Sequence, residues 1–159
     1  MKALLINGTD DLKLPSTVQG YGEINMRKVL TPVQQAVAEI KSGKAASGYA
    51  QGTASRDEMD VQTFKATVPP QSAAGKKINL QVTLVYHDYQ GDQIQNRMNL
   101  FVQTQRGKTE TAPTTQDDNV HRIFMNDMTP GEVITIGVEP KLIFKKKAPW
   151  GVVWDHFEV

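Results

Sequence analysis

The chain has no cysteine. That excludes a disulfide framework and thiol chemistry, but large secreted domains can do without disulfides, so the compartment stays open. Net charge is also scarce: 18 Lys and Arg against 17 Asp and Glu leave a formal +1. With both signs interspersed, the chain lacks the footprint of a nucleic-acid binder. Its one dense basic run, Lys145-Lys146-Lys147, reads as a solvated loop or a charged strand edge. Long hydrophobic runs are missing too. Nothing approaches the roughly 18 apolar residues of a membrane span, so no membrane partner is expected. Met1 to Ile6 is too short for the apolar region of a signal peptide, and Thr9-Asp10-Asp11 follows at once.

What is present is a period of two. Ile78, Leu80, Val82, Leu84 and Tyr86 are apolar, with polar residues between them until Val85. This predicts a strand with one buried face and one wet face. After a polar loop carrying Asp88, Gly91 and Asp92, the alternation resumes at Met98, Leu100 and Val102. Two half-buried strands need a second layer to cover them. Strands are also expected at Val61 to Val68, Val120 to Asn126, Val133 to Val138, Leu142 to Phe144 and Val152 to Val159. Thr129-Pro130-Gly131-Glu132 and Arg106-Gly107-Lys108 carry turn residues. About seven strands at this spacing predict an all-β fold, a jelly-roll-like antiparallel β-sandwich.

The first forty residues differ. Lys2 to Ile6 favours a helix of about one turn, too short to stand alone. Leu12 to Val18, with Pro15, reads as loop, and two glycines flank Tyr21. The residues after Asn25 can start a short helix, and Thr31-Pro32 suits the start of another that ends near Gly43. Lys41 to Asp57 is rich in Ser, Gly, Ala and Gln and reads as a linker. The expected organisation is a helix-and-loop segment over 1–40, a linker over 41–58 and the sandwich over 59–159.

Several side chains invite a chemical reading. The three histidines are His87, His121 and His156, with Asp88 and Asp155 as chain neighbours. A triad also needs a serine on a strained elbow. Ser16, Ser42, Ser47, Ser55 and Ser72 all sit in linker-like sequence, without that context. No catalytic residue is therefore assigned. Asp88, Asp92, Asn96, Asp117, Asp118 and Asn119 offer oxygens on two loops, as calcium requires, although such residues also form turns. No cofactor is assigned, with calcium the one candidate. Trp150, Trp154, Tyr49, Tyr86 and Tyr89 would suit a sugar-stacking platform, as in a carbohydrate- or surface-binding jelly-roll module. Core packing is the competing expectation for Trp154 and Tyr86.

Two sets of motifs resemble one family. Lys2-Ala3-Leu4-Leu5-Ile6-Asn7-Gly8-Thr9 resembles the helix and loop after the catalytic-serine helix of subtilisin-like serine proteases. Gln19-Gly20-Tyr21-Gly22-Glu23-Ile24-Asn25-Met26 is similar to their closing Q-G-[YW]-G-R-[IV]-N-[LM] segment, with Glu23 as a departure. Leu84-Val85-Tyr86-His87-Asp88, Asn96 to Val102, Asp118 to Arg122 and Pro130 to Ile134 resemble strands of the β-sandwich that trails the catalytic domain in one branch. The resemblance implies a C-terminal accessory domain of a secreted protease, partnered by the parent catalytic domain and, through it, by protein substrates. The catalytic serine, histidine and aspartate segments would lie before Met1, since nothing in the chain matches them. Calcium is common in this family, but Arg97 and Asn99 replace acidic residues often found there. Cut away from a catalytic domain, residues 1–40 are expected to be poorly ordered or held between copies. An independent binding module, or a purely structural interaction domain, is the alternative.

Overall fold

The computed structural model describes residues 1–39, 46–72, 74–89, 95–112 and 118–159, without the side chains of 16, 17 and 35–39. In chain order its elements are α1 (Lys2–Asn7), β1 (Thr9–Asp10), α2 (Ser16–Gln19), β2 (Glu23–Ile24), α3 (Met26–Glu39), β3 (Gly48–Ser55) and β4 (Gln62–Thr67). There follow β5 (Ile78–Tyr86), β6 (Arg97–Thr104), β7 (Thr109–Thr111), β8 (Val120–Met128), β9 (Val133–Leu142) and β10 (Lys147–Glu158).

Two four-stranded antiparallel sheets face each other, ordered β3-β10-β5-β8 and β4-β9-β6-β7. Strand β3 pairs with β10, β4 with β9, β5 with β8 and β6 with β7. That nesting is one long hairpin rolled into a sandwich, which is a jelly roll. The all-β expectation holds. The period-two residues Ile78, Leu80, Val82, Leu84 and Tyr86 fill the space between the sheets with Met98, Leu100, Val102, Ile134, Ile136 and Val138. Each such side chain contributes roughly 1.5–3 kcal/mol when fully buried. The turn after β8 forms as its residues demand, with Gly131 at φ 78° and the Glu132 amide donating to the Thr129 carbonyl.

The structure differs from the sequence reading at several places. Residues 48–55, read as linker, form β3, an edge strand of the sandwich, while residues 41–45 lie outside the described residues. Gly48 and Gly52 misled: they pair with Trp154 and Trp150, and the indoles occupy the space where a Cβ would stand. The polar residues 109–111 add β7, and Leu142 ends β9 with no separate strand through Phe144. The two expected helices of 26–39 are one. The Asn25 side-chain oxygen caps it, accepting from the amides of Arg27 (3.1 Å) and Lys28 (3.4 Å), and Pro32 lies inside. Its first turn is pinned where Val29 meets Gly8.

The first segment has a seat on the sandwich. Ala3, Ile6, Asn7 and Val29 are buried together with Val153, apart from the core between the sheets. Helix α1 lies across β5 and β10, and α3 across β3 and β10. The face of β5 expected to be wet is covered there, so Gln81 and Thr83 are buried.

Candidate functional site

The seam under α1 is polar at its centre. Asn7 accepts twice: its side-chain oxygen from the Thr83 hydroxyl at 2.8 Å, and its carbonyl from Gln81 Nε2 at 2.9 Å. Buried polar groups must be paired to avoid a desolvation cost, and these three residues satisfy one another. Away from the seam the same segment carries Leu12, Leu14, Val18, Ile24, Met26 and Leu30, all 45% exposed or more. Scattered apolar residues are ordinary on a surface, and these six fall within nineteen positions of sequence.

Ser47, Asp155 and His156 meet where β3 and β10 pair, but their connections are not those of a nucleophilic triad. The Ser47 hydroxyl donates to the Asp155 carboxylate and accepts from the His156 backbone amide at 3.4 Å. The His156 ring donates through Nδ1 to the Ala46 carbonyl, and its Nε2 is buried with no partner among the described residues. No imidazole nitrogen accepts from the serine, so the arrangement cannot generate an alkoxide. Burial holds His156 down, from 6.5 to about 4. Burial likewise pushes Asp155 up, opposed by the Ser47 hydrogen bond.

The other histidines lie apart. His121 is buried and stacks on Tyr86, with ring centroids 5.6 Å apart. His87 is exposed, edge-on to Tyr89. Ser55 accepts from the Asp57 amide, and Ser72 bonds Glu158. Ser16 has no described side chain, and Ser42 lies outside the described residues.

The calcium candidates close loops. Asp88 accepts from the amides of Gln95 (3.0 Å) and Asn96 (2.8 Å). Asn96, fully buried, donates to the His87 carbonyl and accepts from the Phe144 amide. Asp118 accepts from the Tyr21 hydroxyl at 2.9 Å and the Val120 amide at 3.0 Å, while Asn119 donates to the Tyr86 carbonyl. Asp92 and Asp117 lie outside the described residues. Among the described residues no three His, Cys, Asp or Glu side chains converge.

The aromatic platform divides between core and surface. Trp150, Trp154 and Tyr86 are buried, and Phe64 covers both indoles, with centroids 5.9 and 6.2 Å away. Tyr49 is exposed, and Lys145 of the basic run lies 4.0 Å over the Tyr89 ring. The residues that sequence reading missed are Asn7, Gln81 and Thr83 at the seam, and Arg122. Arg122 lines a cleft of about 660 Å³ between the first segment and the outer face of β8. No local pattern marks any of them, because each has partners far away in the chain.

No family model matches the chain, and no curated protein does. Among solved structures it is similar to the enzymatically active domain of tailspike protein 4 of bacteriophage CBA120. That match has 11% identity and a TM-score of 0.36, covering 92% of this chain and 24% of the other. The chain thus spans about a quarter of that neighbour's length. A likeness at this level carries no argument about function. No described helix is long and apolar enough to cross a membrane.

Proposed function

We propose that the chain is the C-terminal part of a secreted subtilisin-like serine protease. In this reading, residues 1–40 end the catalytic domain, and the jelly roll is an accessory domain that braces it and shapes access for protein substrates. The motif resemblance at both ends of the chain suggests the family. The observation that carries the accessory role is the divided burial of the first segment. Ala3, Ile6, Asn7 and Val29 fix it to the sandwich, while Leu12, Leu14, Val18, Ile24, Met26 and Leu30 stay exposed. A catalytic domain seated on those exposed residues would be joined to the sandwich through a shared layer, at roughly 1.5–3 kcal/mol for each side chain fully covered.

The test uses the natural protein. Antibodies against this chain should capture, from the medium of the source cells, a species heavier than the chain that reacts with a fluorophosphonate serine-hydrolase probe. Its inactivation temperature should fall when Leu14 and Ile24 are both replaced by Ser. Capture of an unreactive species alone would refute the protease reading. A reactive species indifferent to the double substitution would refute the bracing role.

A further inference from the structure

The cleft beside β8 has an unbalanced charge. Its cationic lining residues are Lys13, Lys28 and Arg122, and its anionic ones Asp10 and Asp11. Lys28 is ion-paired with Asp10, which also accepts from Asn25 Nδ2 at 2.9 Å. Asp11 is held by Gln19 at 2.9 Å, by the Lys13 amide at 2.8 Å and by the Lys13 ammonium at 3.5 Å. Arg122 remains. Its guanidinium carbon lies 4.8 Å from the Phe124 ring centroid and 6.0 Å from that of Tyr21, and its Nε is buried without a partner among the described residues. Burial weakens its hold on the proton, and only the fields of Asp11 and Tyr21 oppose this. A planar guanidinium beside two aromatic rings, with its Nε donor unspent, suits a planar anion.

We propose that this cleft binds a peptide carboxylate, an Asp or Glu side chain or a chain terminus, paired with Arg122. One uncompensated positive charge matches a monoanion. A phosphate dianion would bring excess charge close to Asp10 and Asp11. The volume suits one or two residues of peptide, and Phe124 and Phe157 on the cleft wall offer apolar surface to its flanking atoms. Asn126 adds an amide at the rim. This inference does not rest on the protease reading, because it concerns a site formed entirely within the chain.

The experiment is an NMR titration of the whole chain, following backbone amides and the Arg122 Nε–H signal. The probes are acetyl-Gly-Phe with a free carboxylate, acetyl-Glu-amide with only a side-chain carboxylate, acetyl-Gly-Phe-amide with none, and inorganic phosphate. One or both acids should shift Arg122, Tyr21 and Phe124, and which one does so identifies the source of the carboxylate. The amide should not bind, and phosphate should bind at least about tenfold more weakly than the better acid. Arg122→Gln, with an otherwise native spectrum, should weaken that acid at least about tenfold. Should that variant not fold, Arg122→Lys, which keeps the charge and loses the fork, should still weaken it severalfold. Equal binding of acid and amide, preference for phosphate, indifference to Arg122 substitution, or no shift by either acid at about 10 mM would overturn the proposal.

Discussion

The Thr83 hydroxyl donates to the Asn7 side-chain oxygen at 2.8 Å, out of reach of solvent and across 76 positions of sequence. This bond, with its Gln81 neighbour, ties the first helix to the middle of β5. Asn7→Ala should leave the Thr83 hydroxyl buried and unpaired, at a cost of about 1–3 kcal/mol. Thr83→Val alone should cost a similar amount, and the double variant clearly less than the sum. Urea denaturation of the four proteins checks this. Additive losses would mean that the two groups do not act as a pair.

Gly48→Ala and Gly52→Ala should each destabilise the sandwich. A new Cβ would stand 2.7 Å from the Trp154 ring at position 48 and 2.5 Å from the Trp150 ring at position 52. Phe64 blocks both rings from moving inward. Forced repacking of this kind costs about 1–3 kcal/mol. Gly107→Ala, with nothing near its Cβ position, also loses stability because of its φ of 85°, but without disturbing the indoles. Tryptophan fluorescence should therefore change in the first two variants and not in the third.

Acid should loosen the β3–β10 junction in a defined window. Burial holds His156 at about 4 in the folded protein, against an ordinary 6.5, so the unfolded chain takes up the proton first. The contribution of neutral His156 is complete above pH 6.5 and is lost as pH falls from 6.5 to 4. It is at most about 3 kcal/mol, at roughly 1.36 kcal/mol per pH unit. Asp155 works the other way. Its raised value means that its charged form costs stability at neutral pH, and acid relieves that cost between its folded value and 3.8. Asp10, Asp11 and Glu158, held low by hydrogen bonds to Lys28, Gln19 and Ser72, add losses only in the carboxylate range and below. Urea midpoints measured between pH 4 and 7 should thus fall with acid. His156→Asn should flatten the slope and Asp155→Asn should steepen it.

The melting temperature should be the same in millimolar calcium and in excess chelator. A ligand that binds only the native state raises its stability by mass action, and Asp88, Asp118 and Asn119 already serve their own loops. A rise of several degrees with calcium, abolished by Asp88→Asn, would reveal a site completed by residues beyond the described ones.

The legible parts of this fold were those whose signal is local. Alternation at Ile78 to Tyr86 marked β5, and Pro130-Gly131 marked the turn into β9, because period and turn chemistry are written in adjacent residues. Strand β3 was illegible for the opposite reason. Glycine and small residues are the mark of a linker until Trp150 and Trp154, a hundred positions on, are laid over them. The wet face of β5 was misassigned likewise: Gln81 and Thr83 look solvated until Asn7 arrives. Arg122 reads as an ordinary outward residue of a strand, and only the return of Tyr21 across it encloses the cleft.

Strand β10 occupies an interior place in its sheet, between β3 and β5. On a ribosome, the other seven strands of the two sheets emerge before residues 147–158 do. Until then β3 and β5 have no common neighbour, and the edge of β5 that will receive β10 stays open beside its apolar side chains. That sheet is until then in two parts, β3 and the β5–β8 pair, with unpaired edges of the kind that invite association with other chains. Closure joins Ser47 to Asp155 over 108 positions, a long loop to bring together and a slow one. Strand β10 is the keystone of its sheet, and without it β3 and β5 have no native neighbour between them.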